Sequence, residues 1–135
     1  MEILSISMDK DALKRLNRIK KSLGFKSRSK LLQNAVLSML KEYEALETLS
    51  GHVESIFVIT YPESERNHVS NMLHKFKGTV RTETHQHNSD ICVDILDIST
   101  DAKQVKEFFA ALKRTKCIYS VTYSLIPGRS GKKKR

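Results

Sequence analysis

The sequence predicts an α+β protein of two modules, a strand followed by two helices over residues 1–46 and a βαββαβ arrangement over residues 52–127. Three observations carry this expectation. Apolar residues alternate through Leu4, Ile6 and Met8, then recur at helical spacing from Leu13 to Tyr43. Further along, β-branched and aromatic runs at 52–61, 91–98 and 118–126 are interleaved with helical stripes. The charge is also divided unequally: of the net +9, residues 1–46 carry +5, residues 47–127 carry −1 and residues 128–135 carry +5. A basic front module beside a neutral body points to a polyanionic partner for one module and a separate task for the other.

The strand at Leu4–Met8 sets Ser5 and Ser7 on the face opposite its apolar residues. Asp9 reads as a helix cap, Leu13, Leu16, Ile19 and Leu23 form the first stripe, and Gly24 stands where a helix end favours positive φ. Ser27 caps a second helix, whose stripe of Leu31, Leu32, Ala35, Val36, Met39, Leu40 and Tyr43 ends near residue 46. One strand and two helices of this length cannot pair the strand or bury both stripes alone. A two-fold dimer solves this: two strands pair antiparallel, four helices close over their inner face, and Ser5 and Ser7 point outward. A two-stranded ribbon of this kind fits the major groove of double-stranded DNA.

Residues 47–51 form the linker. His52–Tyr61 reads as a strand, and Pro62 opens a helix through Val69, Met72, Leu73 and Phe76 that Gly78 ends. Thr79–His87 is extended, Asn88-Ser89-Asp90 is a turn, Ile91–Ile98 is a strand, Asp101 caps a helix with the stripe Val105, Phe108, Phe109 and Leu112, and Ile118–Ile126 is the last strand. This order is that of ferredoxin-like, ACT-like domains, with two helices on one face of a four-stranded sheet. The open face and the first module together favour a homo-oligomer, up to a tetramer built as a dimer of dimers. Gly128–Arg135 is too short and polar to fold alone and reads as a basic flexible tail.

Several classes are excluded or disfavoured. No apolar run approaches the ~18–20 residues of a membrane span, and the N-terminus lacks the pattern of a signal peptide, so a cytoplasmic protein is expected. Two cysteines without a secretory signal argue for free thiols. There is no phosphate-cradling glycine loop, no nucleophile elbow and no acid/base constellation, so no enzyme activity is expected and no catalytic residue is assigned. Cys117 reads as a core or semi-buried residue, and His52 and His68 as surface residues.

One constellation does carry chemistry. His85 and His87 lie two apart on an extended segment, so both rings emerge on one side, and Cys92 follows a short turn on the next strand. In a hairpin these three can converge on one metal ion, with His74 on the preceding helix able to reach the same site or that of another subunit. Imidazoles and a thiolate suit a late first-row metal over magnesium or calcium.

The strand–helix–helix module, with the polar turn Lys26-Ser27-Arg28-Ser29 opening its second helix, resembles the ribbon-helix-helix repressors. That resemblance implies that Ile3, Ser5 and Ser7 read bases, and that Ser27, Arg28 and Ser29 hold a phosphate at a helix N-terminus. With the βαββαβ module and the His/Cys hairpin following in order, nearly the whole chain is similar to the nickel-responsive repressors of the NikR family. The resemblance implies a planar four-coordinate Ni(II) site made by His85, His87 and Cys92 of one subunit and His74 of another. It also implies a metal-dependent repressor that binds palindromic half-sites.

Three departures stand out. Four residues, Asn88 to Ile91, separate His87 from Cys92 where the family commonly has five; the shorter turn either keeps the ligands together or sends Cys92 to the other face. Lys30 and Asn34 stand where the family has acidic residues that help hold a cation between the domains, and Ile3 replaces a frequent arginine. Two rival functions share the DNA-binding module: a regulator answering to another metal or a small molecule, and an antitoxin-like protein whose remaining chain neutralises a toxin.

Overall fold

The computed structural model describes residues 1–127; the expected tail at 128–135 lies outside the described residues. The chain divides into two compact units, Met1–Ala45 and the remainder from Leu46 onward.

In the first unit, helix α1 (Lys10–Leu23) starts at Asp9, whose carboxylate accepts from the Ala12 amide at 2.7 Å. It stops at Gly24, whose φ of 78° lets its own amide and that of Phe25 turn back to the last carbonyls. Helix α2 (Arg28–Glu47) starts at Ser27, whose hydroxyl accepts from the Lys30 amide at 3.1 Å. The strand expected at Leu4–Met8 is not formed: residues 1–9 have no regular structure, and Leu4 and Ile6 are 87% and 60% exposed. A strand is defined by its pairing, and among the described residues Leu4–Met8 pair with no other segment. The same incompleteness leaves Ile19, Leu23, Val36, Met39, Leu40 and Tyr43 exposed, so neither helical stripe is buried over its length.

The second unit is a four-stranded antiparallel sheet in the order β2-β3-β1-β4, formed by β1 (His52–Pro62), β2 (Val80–Asn88), β3 (Ile91–Asp101) and β4 (Ser120–Leu125). A 3-10 turn (Glu63–Glu65) leads into α3 (Arg66–His74), and α4 (Ala102–Arg114) links β3 to β4. The βαββαβ expectation holds, with shifted edges. The helix after Pro62 ends at His74 rather than near Gly78, so Phe76 sits in a turn, its amide bonded to the Leu73 carbonyl. β3 continues to Asp101, which then caps α4 by accepting from the Gln104 amide. The last strand begins at Ser120 rather than Ile118.

Period-two alternation puts Val53, Phe57, Ile59, Tyr61, Cys92, Leu96 and Ile98 on one face of the sheet, where they are buried with Val69 and Leu73 of α3 and Val105, Phe108, Phe109 and Leu112 of α4. Phe108 is the hub, its ring edge-on to Phe57 and to Phe76, each at 5.1 Å between centroids. Ile56, Val58, Ile91, Val93 and Ile95 lie on the opposite face and stay half-buried. Leu46, where the second unit begins, is part of this core.

The sheet's other face also holds a polar cluster, in which the exposed His52 takes part. Glu54 is buried, accepts hydrogen bonds from Ser99 Oγ at 2.6 Å and from His52 Nε2, and pairs with Arg81 at 3.0 Å. The Ser99 bond first, then the His52 bond, with the charge of Arg81 adding, bring its pKa from 4.5 down to about 2 against the opposing effect of burial. A carboxylate held below its unfolded value stabilises the fold fully above the unfolded pKa and loses that contribution as pH falls through the folded one. Stability measured by denaturant melts should therefore drop between about pH 4.5 and pH 2. Glu54→Gln should be less stable at neutral pH and show a flatter profile in that window; an unchanged acid profile would remove Glu54 from this role.

Candidate metal centre

The hairpin of β2 and β3 builds the site. Asn88 pairs with Ile91, which leaves Ser89 and Asp90 as a two-residue turn, with Ser89 in the left-handed region at φ 60°. From this turn the register sets His87 opposite Cys92 and His85 opposite Asp94. Directly opposed residues of an antiparallel pair share a face, so the shorter turn keeps Cys92 on the histidines' side. The ligand atoms of His85, His87 and Cys92 all lie within 4.8 Å of one another. Cys92 is fully buried, His85 half-buried and His87 exposed, so the group runs from the core to the surface at the edge of the sheet.

The surroundings prepare one imidazole in particular. Asp94, 1% exposed, accepts from His85 Nδ1 through one oxygen and from the Tyr61 hydroxyl at 2.8 Å through the other. With both oxygens accepting, Asp94 holds the His85 proton on Nδ1, which leaves the lone pair of neutral His85 on Nε2. That Nε2 is buried and has no hydrogen-bond partner. A buried, unpaired ring nitrogen is costly, and here it shares a cluster with a thiol and a second imidazole, the donor set of a late first-row transition metal. His87 Nε2 lies 3.4 Å from Glu63 at the start of the 3-10 turn. Burial, followed by the bond to Asp94, raises the Tyr61 hydroxyl well above the ordinary tyrosine range.

The remaining expected residues fall elsewhere. His74 is exposed on α3, in a groove of about 260 Å³ shared with Ser70, Lys77, Arg81 and Thr82, and does not join His85, His87 and Cys92 within its own chain. His68 is exposed. Cys117 is half-buried, packs against the core, and has its thiol pKa pushed up by burial. In the first unit Ile3, Ser5, Ser7 and Arg28 are exposed, Ser27 spends its hydroxyl on the cap, and Ser29 Oγ accepts from Gln33 Nε2 at 3.4 Å. Of three supporting side chains, Asp94, Tyr61 and Glu63, the last two carry no mark in the sequence as neighbours of His85 and His87. For Asp94 a signal existed, since it lies two residues from Cys92 on a strand and must share its face.

Residues 56–126 match the family described as the NikR C-terminal nickel-binding domain. The chain belongs to that family. Its relatives include a "Putative nickel-responsive regulator" of Methanocella arvoryzae, 26% identical over 90% of this chain and 91% of the relative. Another of that name, from Methanococcus maripaludis, is 23% identical over 95% of this chain and 94% of the relative. The family is one of regulators, not enzymes. Among solved structures, an uncharacterized protein of Thermotoga maritima is similar at a TM-score of 0.51 and 14% identity, covering 56% of this chain and 98% of that one. That likeness concerns the fold alone. No helix among the described residues is long and apolar enough to cross a membrane.

The Asp94 network has a spectroscopic consequence. An ordinary tyrosine ionises near pH ~10, whereas burial and the bond to Asp94 should keep Tyr61 protonated, without phenolate absorbance, in a titration taken to about pH 11. Tyr61→Phe should leave the amplitude of that titration unchanged; a loss of one tyrosine's amplitude would show that Tyr61 ionises normally.

Proposed function

We propose that this chain is a nickel-responsive, DNA-binding transcriptional repressor whose metal ligands are His85, His87 and Cys92, with His74 supplied by another copy in a homotetramer. The observation that carries the reading is the unpartnered, buried Nε2 of His85 beside the imidazole of His87 and the thiol of Cys92, in a chain of the nickel-binding family. Nickel(II), when bound, supplies a cation that prefers imidazole nitrogen and thiolate sulfur together. The chain's own part is to present them. Asp94 fixes the ring and tautomer of His85, the hairpin brings His87 and Cys92 to it, and burial of Cys92 keeps water from the sulfur. His74, exposed on α3, is available to a neighbouring copy and would tie two copies together at the site.

The DNA-binding half rests on the incompleteness of the first unit. Pairing residues 4–8 with a second copy would satisfy their backbone, cover Leu4, Ile6 and Met8, and leave Ile3, Ser5 and Ser7 facing the major groove. The Arg28 and Ser29 amides have no intrahelical acceptor in the first turn of α2, and with the Arg28 side chain they suit a phosphate. Linking two such ribbons through one regulatory core lets metal binding favour the spacing that reaches two half-sites at once. A coupling of about 1–3 kcal/mol would change DNA affinity roughly 5–150-fold. The folded βαββαβ unit counts against an antitoxin-like role, which calls for a pliable toxin-binding segment.

Titration of metal-free protein with nickel(II) should saturate at one ion per chain, with thiolate-to-nickel charge-transfer bands that Cys92→Ala abolishes. Bands that persist in Cys92→Ala would sink the ligand assignment. In a selection from a randomised duplex pool, nickel-loaded protein should enrich palindromic half-sites and His87→Ala should not; equal enrichment by both would break the link between metal and DNA.

A further inference from the structure

The edge strand β2 contains a register shift between Val80 and Thr82: Val80 faces Ile98, Thr82 faces Asp97, and Arg81 is the extra residue between them. This bulge decides the parity of the strand. Val80 has an even number and packs on the core, whereas His85 and His87 have odd numbers and face Asp94 and Cys92 on that same side. On a regular strand with alternation of two, residues five apart point to opposite faces. Only the extra residue lets Val80 and both histidines share one. Without it, either Val80 leaves the core or the imidazoles turn to the open face, away from Cys92.

At the bulge the Arg81 side chain bridges to the two neighbouring strands. Its guanidinium makes two hydrogen bonds of 3.1 Å to the carboxylate of Asp97 on β3 and reaches Glu54 on β1 at 3.0 Å, spanning three strands. The far end of the hairpin offers weaker control. Its turn has Ser89 rather than glycine at positive φ, and the Asn-Gly or Asp-Gly pair that fixes such turns is absent. β2 has a neighbour on one side only, and most of its residues are exposed. A bulge on a strand this lightly anchored can migrate, and moving it past His87 would reverse both ligands.

We propose that Arg81, through its clamp on Asp97 and Glu54, is a positioning residue of the metal centre: it pins the bulge that turns His85 and His87 toward Cys92. This deepens the reading of His85, His87 and Cys92 as metal ligands and rests on it. The test is nickel(II) titration of the full chain, following affinity and the thiolate charge-transfer bands, alongside thermal melts. Arg81→Ala should melt cooperatively yet bind nickel about tenfold or more weakly, the scale seen when supporting partners of ligands are removed, with weakened bands. Asp97→Asn, which cuts the same fork from β3, should reproduce this and carries the test if Arg81→Ala does not fold. Arg81→Lys, which keeps the charge but not the fork, should fall between Arg81→Ala and wild type. A lower melting temperature with wild-type affinity and bands would overturn the proposal and leave the metal site standing. Absence of the bands in wild type would overturn the metal reading and the clamp with it.

Discussion

The antiparallel pairing of β2 with β3 is the constraint on which the candidate metal centre depends. Four side chains matter there, His85, His87, Cys92 and Asp94, and the register sets all four on the helix-covered face. A slip of one residue would send both imidazoles outward while Cys92 stayed in the core. The pairing is asymmetric in strength. β3 is locked between two strands and contributes Cys92, Asp94, Leu96 and Ile98 to the interior, whereas β2 is an edge strand with little buried surface of its own. The fixed half of the site is thus Cys92 and Asp94, and the adjustable half is the histidine pair.

Two polar clusters, one on each face of the sheet, are placed against this asymmetry. On the helix side, Tyr61 and Asp94 reach His85 from the interior. On the open side, Glu54, Ser99, His52 and Asp97 gather around Arg81 at the other end of β2. Both bury a carboxylate, which costs free energy unless the group is fully bonded, and in both the carboxylate accepts several hydrogen bonds. Each ties the edge strand to the centre of the sheet, where hydrophobic contacts on β2 are too few to do so alone.

The first unit shows the opposite situation, in which local structure is complete and tertiary structure is not. Both helices are capped at their starts by the residues the sequence nominates, Asp9 and Ser27, and α1 is closed by Gly24. Capping determines where helices begin and end, but burial of the stripes requires further surface. Ile19, Val36, Met39 and Leu40 stay exposed in one chain. Among the described residues the helices are complete, the N-terminal segment is without a strand partner and the apolar stripes are uncovered.

Local chemistry made much of this legible in the sequence. Caps, glycine stops, period-two strands and the stripe of α4 act over a few residues, and they located the βαββαβ order and the His-x-His pair with the cysteine beyond the turn. The sequence could not say which face Cys92 takes after a shortened turn, because one residue decides it and both outcomes satisfy the local pattern. The pairing of Asn88 with Ile91 resolved it. The roles of Asp94, Tyr61, Glu54 and Arg81 came from tertiary structure for the same reason. Each acts through a partner on another strand, and the distance along the chain from Tyr61 to Asp94, or from Glu54 to Arg81, carries no local signal. The strand expected at Leu4–Met8 marks the limit from the other side: alternation signals a capacity to pair, and pairing itself needs a second set of backbone groups, which the described residues do not offer to this segment.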